Sequence, residues 1–385
     1  MSSHFPAGPS NAIMTLRRRM MDADINSLTF HSMDSLYGTA PVKRSSRPNP
    51  LPRSANPFEF NYEFQGVIRS SSQFPARTFT NALLIIKNGE IVLEDYFNNT
   101  NAATTFISWS MAKSILSLMI GVALNEGLIR GLDDLITDYV PELKGTGYDG
   151  VSLRQALQMR SGVDWDERYD FGAEPSPAAA IFEEALVCER RRYADAALDL
   201  KPLVAPGERF NYSTVETAVL GWLLERATGG PVADYTAAKL WEPIGSEADA
   251  FWIRDGAPGV GREFTGAGFN STLRDFGRLG LLVLNEGQVN GRSVVPADWV
   301  KESTAPYAGE KGVPEGPMNY GYQWWTLKGT PSFLAVGLLG QFIFIDPPSK
   351  TVVVKLSHFQ EPEFIEGPVT DESVAFFKAA AAWAP

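Results

Sequence analysis

The amino-acid sequence predicts an α/β (α+β) protein, with one antiparallel sheet completed by the two ends of the chain and helices against it. Three observations lead there. Two apolar runs, Leu83–Ile86 and Ile91–Leu93, are separated by Asn88-Gly89, a strong short-range hairpin signal. A second group of strand-like runs lies far away, between Phe333 and Ser357. Between the two groups, residues 130–250 carry helical patterns separated by Pro- and Gly-rich loops, which makes the middle a mostly helical lobe.

Residues 1–60 are rich in Ser, Pro, Asn and Arg and weakly periodic, and Pro48-Asn49-Pro50-Leu51-Pro52 reads as extended chain. They are expected to form an arm draped over a domain or a partly mobile tail. The hairpin over Ala82–Phe97 is the first strong element. Ser108–Asn125 then reads as a helix apolar almost all round, the mark of a helix buried in the middle of a protein. Helices follow at Thr217–Thr228 and Leu273–Leu284. Phe333–Leu338, Phe342–Ile345 and Thr351–Ser357 read as strands, the last two joined through Pro347-Pro348-Ser349, and a helix from Glu372 to Trp383 closes the chain. No internal repeat is visible.

Composition narrows the function. With 44% hydrophobic and 21% charged residues the chain is globular, and a net charge of -11 without a basic stripe argues against nucleic acid and anionic membrane partners. Cys188 is the sole cysteine and there are three histidines, so neither a disulfide nor a Cys/His zinc site is expected. The start, Met1-Ser2-Ser3-His4-Phe5-Pro6, does not read as a secretory signal, and the longest apolar stretch, Ile115–Leu124, is too short to span a bilayer. A cytoplasmic enzyme is expected.

No Gly-x-Ser-x-Gly elbow occurs, and His358 follows a strand end with no motif around it, so it reads as a surface or loop residue. Serine can instead be activated by lysine. Ser110-Met111-Ala112-Lys113 places both side chains on one helix face. The spacing alone is weak, since about one Ser-x-x-Lys is expected by chance in such a chain. Its setting says more. From Trp109 to Asn125, Lys113 is the only charged residue. Burial there would lower its pKa toward neutrality, as a general base needs, and Ser110 in the first turn would bring the positive helix end near a developing oxyanion. Tyr212, in Pro206-Gly207-Glu208-Arg209-Phe210-Asn211-Tyr212, sits on a loop just before a helix, where a phenol either points into a cleft or simply packs.

Taken together, Ser110-Met111-Ala112-Lys113 and the Pro-Gly-Glu-x-Phe-x-Tyr segment resemble the first two motifs of serine β-lactamases, penicillin-binding proteins and family VIII carboxylesterases. Leu153–Gly162, Phe269–Asp275 and Pro296–Val300 fit the same pattern in the right order. Gly321-Tyr322-Gln323-Trp324-Trp325 and Gly340–Pro347 resemble the branch of 6-aminohexanoate-dimer (nylon-oligomer) hydrolases and their esterase relatives. The resemblance runs from roughly residue 25 to the C-terminus and implies a β-lactamase/transpeptidase-like fold. With the arm read over 1–60, one hydrolase domain is expected over 61–385. Within that domain, 61–125 and 265–385 would form the sheet lobe and 126–264 the helical lobe.

Carried onto this chain, the resemblance makes Ser110 the nucleophile, Lys113 its base and Tyr212 the proton carrier to the leaving group. The oxyanion hole would use the N–H groups of Ser110 and Leu338. Tyr169 matches the tyrosine that assists an amide leaving nitrogen in the nylon-oligomer branch, though an ordinary loop aromatic fits equally. Trp325 is placed on the acyl pocket. Two departures matter. Thr214 stands where β-lactamases have the Asn of Tyr-x-Asn, and apolar Val336–Gly340 replaces Lys-Thr-Gly. Both favour an esterase or amidase acting on a small-molecule ester or short amide, without metal or cofactor. A β-lactamase, a D-alanyl-D-alanine carboxypeptidase and a non-catalytic binding relative stay open, as does a homodimer with the arm across the partner.

Overall fold

The computed structural model describes residues 8–55, 58–257, 259–309, 313–363 and 365–384. The reading of Met1–Pro6 therefore lies outside the described residues. The main sheet has seven antiparallel strands in the order Met318–Tyr320, Trp325–Leu327, Phe333–Gly337, Gln341–Asp346, Thr351–Ser357, Thr80–Lys87, Glu90–Tyr96. Both ends of the chain complete it: Thr351–Ser357 pairs with Thr80–Lys87, with Val353 opposite Ile85.

Every residue of Thr80–Lys87, Gln341–Asp346 and Thr351–Ser357 is buried, because helices cover both faces. Alternation along the strands assigns the partners. Leu84, Ile86, Ile343 and Val352 face helix Leu273–Leu284. That helix lies so close that a Cβ on Gly277 would stand 2.5 Å from Leu84 and one on Gly280 2.4 Å from Val352. On the other face Phe342 and Phe344 meet Phe377 of helix Pro368–Ala382, each with ring centroids 5.5 Å apart.

Helix Met111–Asn125 is buried from Met111 to Ala123, as its apolar sequence predicts. Gly121 lets the Trp299 ring lie on its backbone, and the Trp299 indole donates to the Ser117 carbonyl at 2.9 Å. No helix among the described residues is long and apolar enough to cross a membrane.

Two features go beyond the sequence reading. A smaller sheet, ordered Thr39–Val42, Ala250–Ile253, Phe269–Thr272, Thr105–Ile107, leads directly into the turn before Ser110. Its strands have three or four residues, and one holds Pro41, so they carry little periodic signal. The N-terminal segment is helical over Asn11–Arg19 and buries Met20, Phe30 and Met33 in the core. Helix Thr214–Thr228 starts three residues before the sequence expectation because Ser213 caps it, accepting from the Glu216 N–H. The last helix begins at Pro368, a residue suited to a first turn.

Candidate active site

Ser110 occupies the N-cap of the buried helix and follows Trp109, whose φ of 45° is left-handed, so the chain turns sharply from the small sheet into the helix. Gly337 brings the main sheet against this turn: a Cβ there would stand 2.3 Å from the Ser108 carbonyl oxygen and 3.1 Å from Trp109 Cβ. Leu338, the next residue, lines the same cavity as Ser110.

Lys113 lies one turn further along, 1% exposed, with Nζ 2.9 Å from Ser110 Oγ. Nζ also donates to Thr214 Oγ1 at 3.1 Å and to the Gly266 carbonyl oxygen at 2.7 Å. Gly266 reaches that position because it carries no side chain: a Cβ would come within 2.5 Å of Thr214 Cγ2. Burial pulls the ammonium down to a pKa of about 7, against an opposing pull from the Glu167 carboxylate. A lysine so placed is largely able to be neutral at physiological pH, unlike one in water.

Tyr212 presents its ring to the same amine, 5.0 Å from Nζ to centroid, and is stacked on Trp325 at 5.6 Å and 29°. Burial pushes its phenol well above the ordinary value, and a hydrogen bond with Ser110 offsets this only in part. Near pH 7 the phenol keeps its proton while Lys113 is about half neutral. The two groups are thereby set apart by their environments.

The cavity above Ser110 measures about 140 Å³, with Met21, Trp109, Phe182 and Phe264 on its apolar walls. Ser110, Tyr212, Thr214, Glu167 and Tyr169 supply its polar side. Of the residues singled out from sequence, Ser110, Lys113, Tyr212, Leu338 and Tyr169 thus converge. Tyr169 donates its hydroxyl to Glu167 Oε1 at 2.9 Å. Trp325 is buried behind Tyr212 and is not among the residues lining the cavity. His358 follows the strand Thr351–Ser357 and is not among the residues lining the cavity, and burial with the nearby Lys355 lowers its pKa to about 4.

Sequence reasoning missed Glu167, Gly266 and Met21. Glu167 sits in Asp166-Glu167-Arg168, where nothing local separates it from Asp166, which pairs with Arg168 at the surface. Its partner Thr214 is 47 residues away.

A serine at the N-terminus of a buried helix, a neutralisable lysine against it and the end of an antiparallel sheet strand beside it define a serine hydrolase of the penicillin-recognising type. The chain belongs to the beta-lactamase family, whose model matches residues 72–373. It is 29% identical over 355 residues to a 6-aminohexanoate-dimer hydrolase of Paenarthrobacter ureafaciens, covering 89% of this chain and 88% of that one. A solved structure from Bacillus anthracis, provisionally named a 6-aminohexanoate-dimer hydrolase, superposes with a TM-score of 0.84 at 25% identity, over 97% and 98% of the two chains. A penicillin binding protein from Bacillus halodurans shares the fold at a TM-score of 0.62 and 15% identity, over 79% of this chain and 98% of that one.

Proposed function

We propose that this protein hydrolyses small carboxylic esters through an acyl-enzyme on Ser110. The observation that carries the reading is the buried Lys113 amine, 2.9 Å from Ser110 Oγ with a pKa of about 7. Ser110 Oγ attacks the ester carbonyl carbon as its proton passes to Lys113 Nζ. The N–H groups of Ser110 and Leu338 receive the developing oxyanion, and Tyr212 relays the proton to the departing alcohol oxygen. Water then attacks the acyl carbon along the reverse route and frees the acid.

One observation bears on the acyl part of the substrate and a second supports ester over amide. The cavity is small and mostly apolar, which suits a short acyl chain. Tyr169, the group available to assist an amine leaving group, has its hydroxyl proton committed to Glu167. The names of the relatives favour a second activity on short amides such as the 6-aminohexanoate dimer.

The test is p-nitrophenyl butyrate hydrolysis by the wild type and by Ser110→Ala, with the 6-aminohexanoate dimer in parallel. Turnover of the ester that vanishes in Ser110→Ala supports the assignment. Equal rates in the two proteins remove Ser110 as nucleophile and the whole site with it. Dimer cleavage faster than ester cleavage overturns the ester preference alone.

A further inference from the structure

We propose that Glu167 is a positioning residue that, by fixing the Thr214 hydroxyl, aims the Lys113 lone pair at Ser110. The inference rests on the Ser110–Lys113 reading above and adds to it the element that makes Lys113 a base rather than a donor.

The hydrogens around Nζ can be assigned one by one. A neutral lysine amine has two N–H bonds and one lone pair. Three oxygens surround Nζ: Ser110 Oγ at 2.9 Å, Thr214 Oγ1 at 3.1 Å and the Gly266 carbonyl at 2.7 Å. Any of three arrangements would satisfy an isotropic cage, and only one of them is productive. The Gly266 carbonyl can do nothing but accept, so it takes one N–H. Thr214 could donate or accept, and Glu167 decides which. Thr214 Oγ1 donates to Glu167 Oε1, and the Thr214 backbone N–H donates to Glu167 Oε2 at 2.9 Å. With its proton committed to a carboxylate, the hydroxyl presents only a lone pair to Lys113 and takes the second N–H. The lone pair of the amine is left for the Ser110 hydroxyl proton, which is the geometry of proton abstraction.

Glu167 is itself fully occupied. A carboxylate offers about four acceptor sites. They receive the two Thr214 donors, the Trp165 indole at 2.5 Å and the Tyr169 hydroxyl at 2.9 Å. Glu167 faces the cavity, yet it has no lone pair to spare for a substrate, so its effect passes through Thr214 and through its charge.

The charge gives a readout that a merely structural role would not move. Glu167 is the one charged group acting on Lys113 among the described residues and holds its pKa up. The other titratable groups nearby are Tyr212, Tyr169, Tyr193 and Tyr148, all pushed well above their ordinary values, and Glu216 at about 8. These are essentially neutral at pH 7.

The experiment measures kcat/KM for p-nitrophenyl butyrate against pH in the full chain for Thr214→Val, Thr214→Ser, Glu167→Gln and Ser110→Ala. Thr214→Val is expected to lose about 100-fold, the lower end of the range for general-base catalysis, and Thr214→Ser to stay near wild type. Glu167→Gln is expected to lower the plateau and to move the acidic limb to lower pH. Thr214→Val as active as Thr214→Ser overturns the proposal, as does a Glu167→Gln profile with an unmoved limb. If Glu167→Gln does not fold, the Thr214 pair decides. An active Ser110→Ala would sink the underlying reading instead, so the two failures are distinct.

Discussion

Lys113 holds opposing tendencies in one side chain. Desolvation disfavours its charge, while Glu167 and the ring of Tyr212 favour it, and the balance leaves a pKa of about 7. Since only the neutral amine can accept the Ser110 proton, kcat/KM should rise with pH and reach half of its plateau near pH 7. A limb at pH 9 or above would mean that Lys113 is solvated in the working enzyme and that burial does not set its role. The burial of this residue was legible because a single charge within an apolar helix is conspicuous in sequence. What surrounds Nζ was not legible. Thr214 and Gly266 lie 101 and 153 residues from Lys113, and a carbonyl oxygen has no sequence signature at all.

At the scale of elements, the main sheet and the serine helix follow from strong local patterns, such as the Asn88-Gly89 turn and the uninterrupted apolar face of Met111–Ala123. The short strands of the small sheet escape because their order is imposed by neighbours, as where Ala40 pairs with Trp252. Helix Thr214–Thr228 shows both sides. Its body is readable, but its first turn hides Glu216, 0% exposed, with a hydrogen bond from Ser161. Burial raises that carboxyl from 4.5 to about 8. Between those values the folded protein holds a proton that the unfolded chain does not. Stability contributed by the neutral form is therefore complete below pH 4.5 and lost as pH rises through 8. The Glu216→Gln variant lacks this loss. Urea midpoints at pH 5 and pH 8.5 should show the variant gaining on the wild type at the higher pH. Parallel declines of the two proteins would place the Glu216 carboxyl in contact with water.

For the whole molecule, the N-terminal segment has a part that its weak periodicity did not suggest. It ties the helical middle to the serine turn. Arg17, 3% exposed, donates to the carbonyls of Leu36, Leu186 and Val187 and pairs with Glu189 at 2.7 Å. Thirteen residues on, the Phe30 carbonyl accepts from the Ile107 N–H at 2.9 Å, and the Phe30 ring meets Trp109 edge-on with centroids 5.5 Å apart. Met21, between them in sequence, forms part of the cavity wall. Trp109 is the residue whose left-handed backbone sets Ser110 at the helix start, and such a conformation costs about 1–3 kcal/mol unless its surroundings hold it. Phe30 is one of those holds. Phe30→Ala should therefore destabilise the protein by about 3–5 kcal/mol through the cavity it leaves. It should also lower kcat in the population that stays folded, because Ser110 is then less firmly aimed. Urea unfolding measures the first effect, and active-site titration combined with steady-state rates isolates the second. A variant that unfolds more easily but turns over ester at the wild-type rate per folded molecule would confine the segment to scaffolding. A fall in both would make these residues, remote in sequence from Ser110, part of what keeps that serine in place.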